Sequence, residues 1–303
     1  MTFKEHFRTN FNIRLQIADK KTELNSILRG EILKDFMSET GIFKFNQIEI
    51  KADPFLFVHN ETLYLFYEEK LRMSKGYIMM TSTRDLKSWS DPVLVLQESF
   101  HLSFPFVFAV DDDVYLMPET GEVGEIRLYR FSDETLTKVE LVKVLMKGEF
   151  VDSSIISIDG EYYLFTSDSE FKQRVFVADN LLGDYNEHPS SPIYIGSDYG
   201  RNAGAVFEYG GFFYRPSQDC SRLYGDNVSL HQLKEFTTDL IEEKPYIKNL
   251  FNRDNSFYTF GGHQFNIVEF KNKLIVATDA LDLNFNIFKI AQKLLNKVFH
   301  FDV

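Results

Sequence analysis

Apolar and polar positions fall along this chain in short paired runs that return at a near-constant interval. The plainest pair is Asp53-Pro54-Phe55-Leu56-Phe57-Val58, a turn at His59-Asn60-Glu61-Thr62, and then Leu63-Tyr64-Leu65-Phe66-Tyr67. Short runs rich in aromatic and β-branched residues, bounded by turn residues, read as strands. The stretch therefore predicts a β-hairpin with an acid at its first residue. The pattern returns at 104–108 with 114–116, 152–156 with 162–165, 202–207 with 212–214, and 263–268 with 274–276. The connecting turns carry Asp111-Asp112-Asp113, Asp159-Gly160, Gly210-Gly211 and Lys271-Asn272.

Tyr64, Tyr115, Tyr163, Phe213 and Leu274 mark the second strands, spaced 51, 48, 50 and 61 residues apart. Strand-rich repeats of about 40–50 residues are the signature of propeller blades. Five copies predict an all-β, five-bladed β-propeller. In a propeller the first strand of each blade lines the central channel. Residues at one offset in those strands must then ring one mouth of it. Eleven residues before each marker stand Asp53, Phe104, Asp152, Asn202 and His263. The second strands end in a further polar set: Glu68, Glu119, Asp168, Gln218 with Asp219, and Asp279.

The rest of the chain divides around this repeat. Residues 51–280 form the propeller, 1–50 an N-terminal extension and 281–303 a C-terminal segment. In the extension, Asn12 to Ile17 alternates as a strand, and one such strand is expected to complete the last blade and close the ring. Between Thr22 and Met37 the apolar residues Leu24, Ile27, Leu28, Ile32, Leu33 and Phe36 follow a helical spacing, interrupted by Gly30. Asn284 to Phe301 predicts an amphipathic helix, with Lys289, Lys293 and Lys297 opposite its apolar side. Docking on the propeller is its default role, and contact with an anionic membrane surface the alternative. The only tryptophan, Trp89, sits in a Ser-Thr-Arg-Asp-Leu-Lys-Ser-Trp turn and reads as blade-edge packing.

A net charge of −12 disfavours nucleic acid as a partner. The single cysteine, Cys220, rules out an internal disulfide. Lys4, Glu5 and Arg8 precede no apolar run, and no window reaches the length of a membrane span, so the expected location is cytoplasmic. No cluster has zinc-site spacing, and no phosphate-cradling glycine loop or nucleophile elbow occurs.

The candidate chemistry lies at the channel mouth. Asp53, Asp152 and Glu119 are the candidate catalytic carboxylates. His101, Glu68, Arg201, Asn202, Gln218, Asp219 and His263 are the candidate substrate-binding groups. Arg201 can hold a carboxylate or sugar hydroxyls in a two-pronged contact, or pair with Asp53 or Asp152.

With Ala52-Asp53-Pro54 opening the first repeat, the layout resembles glycoside hydrolase family 43. More specifically, 100–108 (FHLSFPFVF), 117–120 (MPET), 188–193 (HPSSPI), 201–204 (RNAG), and 218–220 (QDC) with 224–225 (YG) resemble the N-terminal domain of plant glucosamine inositolphosphorylceramide transferases and their bacterial counterparts. In the plant proteins a separate transferase domain follows. This chain ends without one, so their named activity is not expected to carry over. The hydrolase resemblance implies Asp53 as general base and Asp152 as an orienting, pKa-tuning acid. It also implies His263 as a channel histidine, with a calcium ion in the channel near it. The general-acid position of that family is here Asn202, which carries no transferable proton. The expectation is thus glycosyl transfer in cell-surface glycan assembly, on a sugar or glycan substrate with a nucleotide- or lipid-linked donor. A hydrolase with a displaced acid, and a non-catalytic glycan-binding propeller, are the alternatives.

Overall fold

The computed structural model describes residues 7–39 and 47–285. The strands run in chain order as β1 (Phe7–Asp19), β2 (Glu31–Phe36), β3 (Ile48–His59), β4 (Thr62–Leu71), β5 (Tyr77–Thr83), β6 (Val93–Leu96), β7 (Ser103–Val110) and β8 (Asp113–Glu119). They continue as β9 (Glu125–Phe131), β10 (Val139–Lys147), β11 (Phe150–Ile158), β12 (Glu161–Asp168), β13 (Lys172–Ala178), β14 (Asn186–Glu187) and β15 (Tyr194–Ile195). The last are β16 (Arg201–Asn202), β17 (Phe207–Tyr209), β18 (Phe212–Asp219), β19 (Asn227–Phe236), β20 (Ile241–Ile247), β21 (Phe265–Phe270) and β22 (Lys273–Phe285).

Antiparallel pairing gathers them into five groups: β3 to β6, β7 to β10, β11 to β15, β16 to β20, and β21-β22-β1-β2. The first and last are joined in one sheet by a single parallel pairing, Phe11 with Ile50. Each repeat opens with the hairpin read from the sequence. Its two turn residues take left-handed backbone at Asn60-Glu61, Asp159-Gly160, Gly210-Gly211 and Lys271-Asn272. That matches the right-handed twist of the flanking strands.

The hydrophobic cores lie between consecutive groups. Phe66, Ile78 and Met80 pack on Leu116 and Tyr129. Met117 and Leu128 pack on Ile155 and Leu164. Phe165 and Val175 pack on Leu233 and Ile241. Tyr214 and Leu230 pack on Phe265 and Val276. Finally Ile13, Leu15 and Ile275 of the last group pack on Leu56, Leu65 and Tyr67 of the first.

Two readings of the termini change. The 22–37 segment is a short 3-10 turn, Leu24–Arg29, followed by strand β2. Gly30 makes the break, because a Cβ there would collide with the Ile17 carbonyl of β1. Leu24 and Ile27 are buried from the turn, while β2 pairs with β1 over Ile13 to Ile17, so tertiary pairing overrides the helical spacing. At the other end, Asn284 and Phe285 finish β22 rather than starting a helix, and the remainder of the 284–301 segment lies outside the described residues.

Candidate active site

In three repeats the first strand carries a bulge at the same offset. The register slips between Ala52 and Phe55, Ser103 and Phe106, and Val151 and Ser154. Asp53, Phe104 and Asp152 sit there with φ of 51°, 45° and 51°. In the fourth repeat the strand parts between β16 and β17, and in the fifth His263 and Gln264 precede β21. A bulge frees backbone groups from the ladder and re-aims side chains. Here the freed N–H groups find acceptors on the preceding group of strands. Asp53 N donates to Asp279 Oδ2 (3.1 Å), Phe104 N to Asp53 Oδ2 (3.0 Å), Asp152 N to Glu119 Oε2 (3.3 Å) and Asn202 N to Ser167 Oγ (3.1 Å). One chain of side-chain acceptors thus ties the strand starts together and fixes the acids.

His263 is the cation at one side. Its Nδ1 lies 2.8 Å from Asp279 Oδ2 and 3.4 Å from Asp53 Oδ1, an ion-pair contact out of hydrogen-bond alignment with either. Burial opposes its charge, but Asp279 and Asp53 outweigh it and raise the imidazole to about 9. Burial also pushes Asp53 up to about 6, with His263 opposing and Asp279 and Asp152 reinforcing the rise. For Asp279 burial is outweighed by His263 and by backbone N–H donors, which hold it below the ordinary carboxylate value. Donor atoms of Asp53, His263 and Asp279 lie within 4.8 Å of one another, as a small metal site would require. The set does not fit the calcium expectation. Calcium takes about six to eight oxygens, whereas both Asp279 oxygens and Asp53 Oδ2 already accept backbone N–H groups. An imidazolium between two carboxylates balances the cluster without an added cation.

Arg201 is the second cation. Its Nε donates to Asp152 Oδ2 at 2.5 Å and its Nη2 stands 3.7 Å from Glu119 Oε2. Its guanidinium also lies 5.2 Å from the centre of the Tyr224 ring. Gln218 Nε2 donates to the same Asp152 oxygen (2.9 Å) and to the Asn202 carbonyl (2.7 Å). Asn202 gives its amide hydrogens to the Asp152 and Phe165 carbonyls, leaving its Oδ1 buried and unpartnered. Glu119 is raised well above its ordinary pKa, by burial first and by Asp152 next.

Glu68 also lies at the centre, with His101 Nε2 at 3.6 Å from its Oε1. Two predicted members stand aside. Asp219 accepts from the N–H and hydroxyl of Ser221 in its own turn. Asp168 pairs with Arg174 and accepts from the Glu170 and Lys172 N–H groups. Two residues, Tyr224 and Phe11, escape the repeat pattern because they come from a loop and the chain start, while Gln264 lies inside the fifth repeat, one place past its ring position. Tyr224, exposed, stands 5.2 Å from the His263 ring. Phe11 of β1 stacks on that ring at 4.3 Å. Gln264 is fully buried with both amide atoms unpartnered. The adjacency of Tyr224 to Gly225 was the available signal, since Gly225 (φ 69°) lies against the imidazole where a Cβ would stand 3.1 Å from His263 Cδ2. Buried polar atoms are almost always paired. Those left on Glu68, Asn202 and Gln264 suit a ligand rich in hydroxyls.

A family model described as "Glucosamine inositolphosphorylceramide transferase 1, N-terminal" matches residues 41–278. Glucosamine inositolphosphorylceramide transferase 1 of Oryza sativa subsp. japonica is 36% identical over 205 residues, which are 64% of this chain and 27% of that protein. Its Arabidopsis thaliana counterpart is 36% identical over 203 residues, 63% of this chain and 26% of that protein. The chain thus spans about a quarter of these relatives. Among solved structures, β-1,2-mannobiose phosphorylase from Listeria innocua aligns with a TM-score of 0.60 at 11% identity, covering 80% of this chain and 92% of that one. The α-L-arabinofuranosidase from Clostridium thermocellum aligns with a TM-score of 0.58 at 18% identity, covering 74% and 80%. At these identities the likeness is one of fold.

Proposed function

The chain belongs to the glucosamine inositolphosphorylceramide transferase 1 N-terminal family, and from that premise we propose that it is a five-bladed β-propeller catalysing glycosyl transfer at the channel mouth. The propeller reading rests on the five cores, which join each group of strands to the next and the last to the first. Strand β1, paired to β22, and β2, paired to β1, complete the fifth blade.

The observation that carries the chemistry is a set of carboxyl groups driven apart in pKa. Asp53, at about 6, is ionised at neutral pH, while Glu68 and Glu119 are pushed well above 4.5 by burial. Such splitting assigns base and acid. Asp53 takes the proton of an acceptor hydroxyl. Asp152 orients Arg201, and Arg201, Glu119 and Tyr224 hold the sugar. The plant relatives are named as transferases, which supports a transfer reaction, and the donor we propose is a nucleotide- or lipid-linked sugar. The raised glutamates favour one second reading, hydrolysis with the acid moved off the Asn202 position. The name of one fold relative, an α-L-arabinofuranosidase, is in keeping with that reading.

The test is turnover of nucleotide-sugars with an acceptor, and of aryl glycosides with water, by the native protein and Asp53→Asn. Transfer predicts a glycoside product from the activated donor and a loss of about 10²- to 10⁴-fold in the variant. Turnover of aryl glycosides alone assigns the hydrolase. Sugar binding that survives Asp53→Asn, with no turnover by either protein, overturns both enzyme readings.

A further inference from the structure

We infer that Glu68 is the proton donor of this site and that His101 is its positioning residue, an inference that rests on the enzyme reading above. Both glutamates are buried, but their surroundings differ. Glu119 Oε2 already accepts from Asp152 N and faces the Arg201 guanidinium, which favours a carboxylate. Glu68 Oε1 is buried with no hydrogen-bond partner and its nearest basic group is His101 Nε2 at 3.6 Å.

The local geometry imposes this juxtaposition. Gly76 N donates to His101 Nδ1 at 2.9 Å, so the neutral imidazole carries its hydrogen on Nε2, the nitrogen that faces Glu68. The His101 main chain is anchored in turn, its N–H donating to Glu122 Oε2, which pairs with Lys75. Gly76 must lack a side chain. A Cβ would stand 2.5 Å from Leu102 O, 2.6 Å from Glu68 Oε1 and 2.7 Å from His101 Cε1. Burial lowers the His101 pKa, with Lys70 and Lys75 adding and Glu122 opposing, which keeps the ring neutral. Glu68 is raised by burial and by Asp53 and Asp279, against His263 and Lys70.

In the step, Asp53 takes the proton of the acceptor hydroxyl as that oxygen bonds to the anomeric carbon. The bond from that carbon to the leaving oxygen breaks, and Glu68 gives its proton to the leaving oxygen. The Glu68 carboxylate then accepts the His101 Nε2–H until solvent returns a proton. His101 gives up no proton. It aims the acid and stabilises the charge left on it.

Donors graded by leaving-group acidity, assayed with Glu68→Gln, His101→Asn and His101→Gln, test the assignment. Glu68→Gln should lose about 10²- to 10⁴-fold on poor leaving groups and little on those that depart unprotonated. His101→Asn should show the same selectivity, with the basic limb of its pH profile moved to higher pH, because the carboxylate has lost a donor. His101→Gln, which presents an N–H at the Nε2 position, should restore both. Infrared spectra should show a protonated-carboxyl band at pH 7 that disappears in Glu68→Gln, and Glu68→Asp with melting curves checks folding. A missing band, uniform loss across leaving groups, or unaltered Glu68→Gln turnover overturns the assignment while the enzyme reading stands. Absence of turnover in the native protein overturns both.

Discussion

Left-handed backbone at Asp53, Phe104 and Asp152 is the residue-scale device behind the site. Aspartate tolerates it and so does asparagine. Asp53→Asn should therefore keep the bulge, and its amide oxygen can still accept from Phe104 N, so the melting curve should barely move while turnover falls. His263 makes the pH dependence of folding testable. Raised from 6.5 to about 9, it holds a proton in the folded state that the unfolded chain releases. That stabilisation is complete below about pH 6.5 and fades as pH climbs to about 9, at up to about 1.4 kcal/mol per pH unit. Asp53, raised from 3.8 to about 6, removes stability in the window below, as pH rises from about 4 to 6. Urea midpoints from pH 5 to 9 should decline across both windows, and His263→Gln should abolish the upper one. A flat profile in the native protein would show that the imidazolium is not held this way.

At the scale of elements, repetition decided what could be read ahead. The hairpins were legible because alternation and turn residues recur, and the ring offset was legible because the bulges share it. Of the second polar set, Glu68, Glu119, Gln218 and Asp279 come together, while Asp168 and Asp219 stand aside. Offset alone does not separate them, since Glu68 and Glu119 stand four residues past their markers, while Gln218, Asp279 and the excluded Asp168 all stand five. Asp168 ends its strand and turns to Arg174, whereas Asp279 lies within the 13-residue β22, flanked by β1. Pairings across groups left no local trace at all. The fully buried Arg215 of β18 bonds Glu243 of β20, within its own group, through Nε and Nη2 at 2.7 and 2.6 Å. It also reaches Gln173 of β13 (3.1 Å) and the Tyr199 carbonyl (3.0 Å). Through Gln173 it ties the third group of strands to the fourth. Breaking a buried ion pair from one side strands the other charge. Glu243→Ala should accordingly cost about 3–5 kcal/mol in urea unfolding, and Arg215→Met with Glu243→Leu together should recover part of it. Equal losses for the single and double changes would mean that packing, not charge, holds Arg215 in place.

For the whole molecule, the decisive contact joins the beginning of the chain to its end. Strand β1 pairs with β22 along 13 residues, setting Ile13 opposite Asp279, the carboxylate that holds His263 and the Asp53 N–H. Stability of the site and the pairing of β1 with β22 are therefore one property. The protein carries its own reporter of how β1 and β2 sit against the first group of strands. The single tryptophan, Trp89, between β5 and β6, meets the Phe36 ring of β2 edge-on at 5.7 Å, with Lys34 Nζ 5.3 Å from its own ring. Ile13 is fully buried among Leu15, Leu56 and Leu65, far from the indole in sequence. Truncating it to alanine should leave a cavity costing about 2–5 kcal/mol. If the groups of strands form one cooperative body, the Trp89 fluorescence transition and the far-ultraviolet dichroism transition should shift together and stay superimposed in Ile13→Ala. Fluorescence that melts early while the strand signal persists would show that β1 and β2 peel away alone, leaving Asp279 and its neighbours without the strand that fixes them.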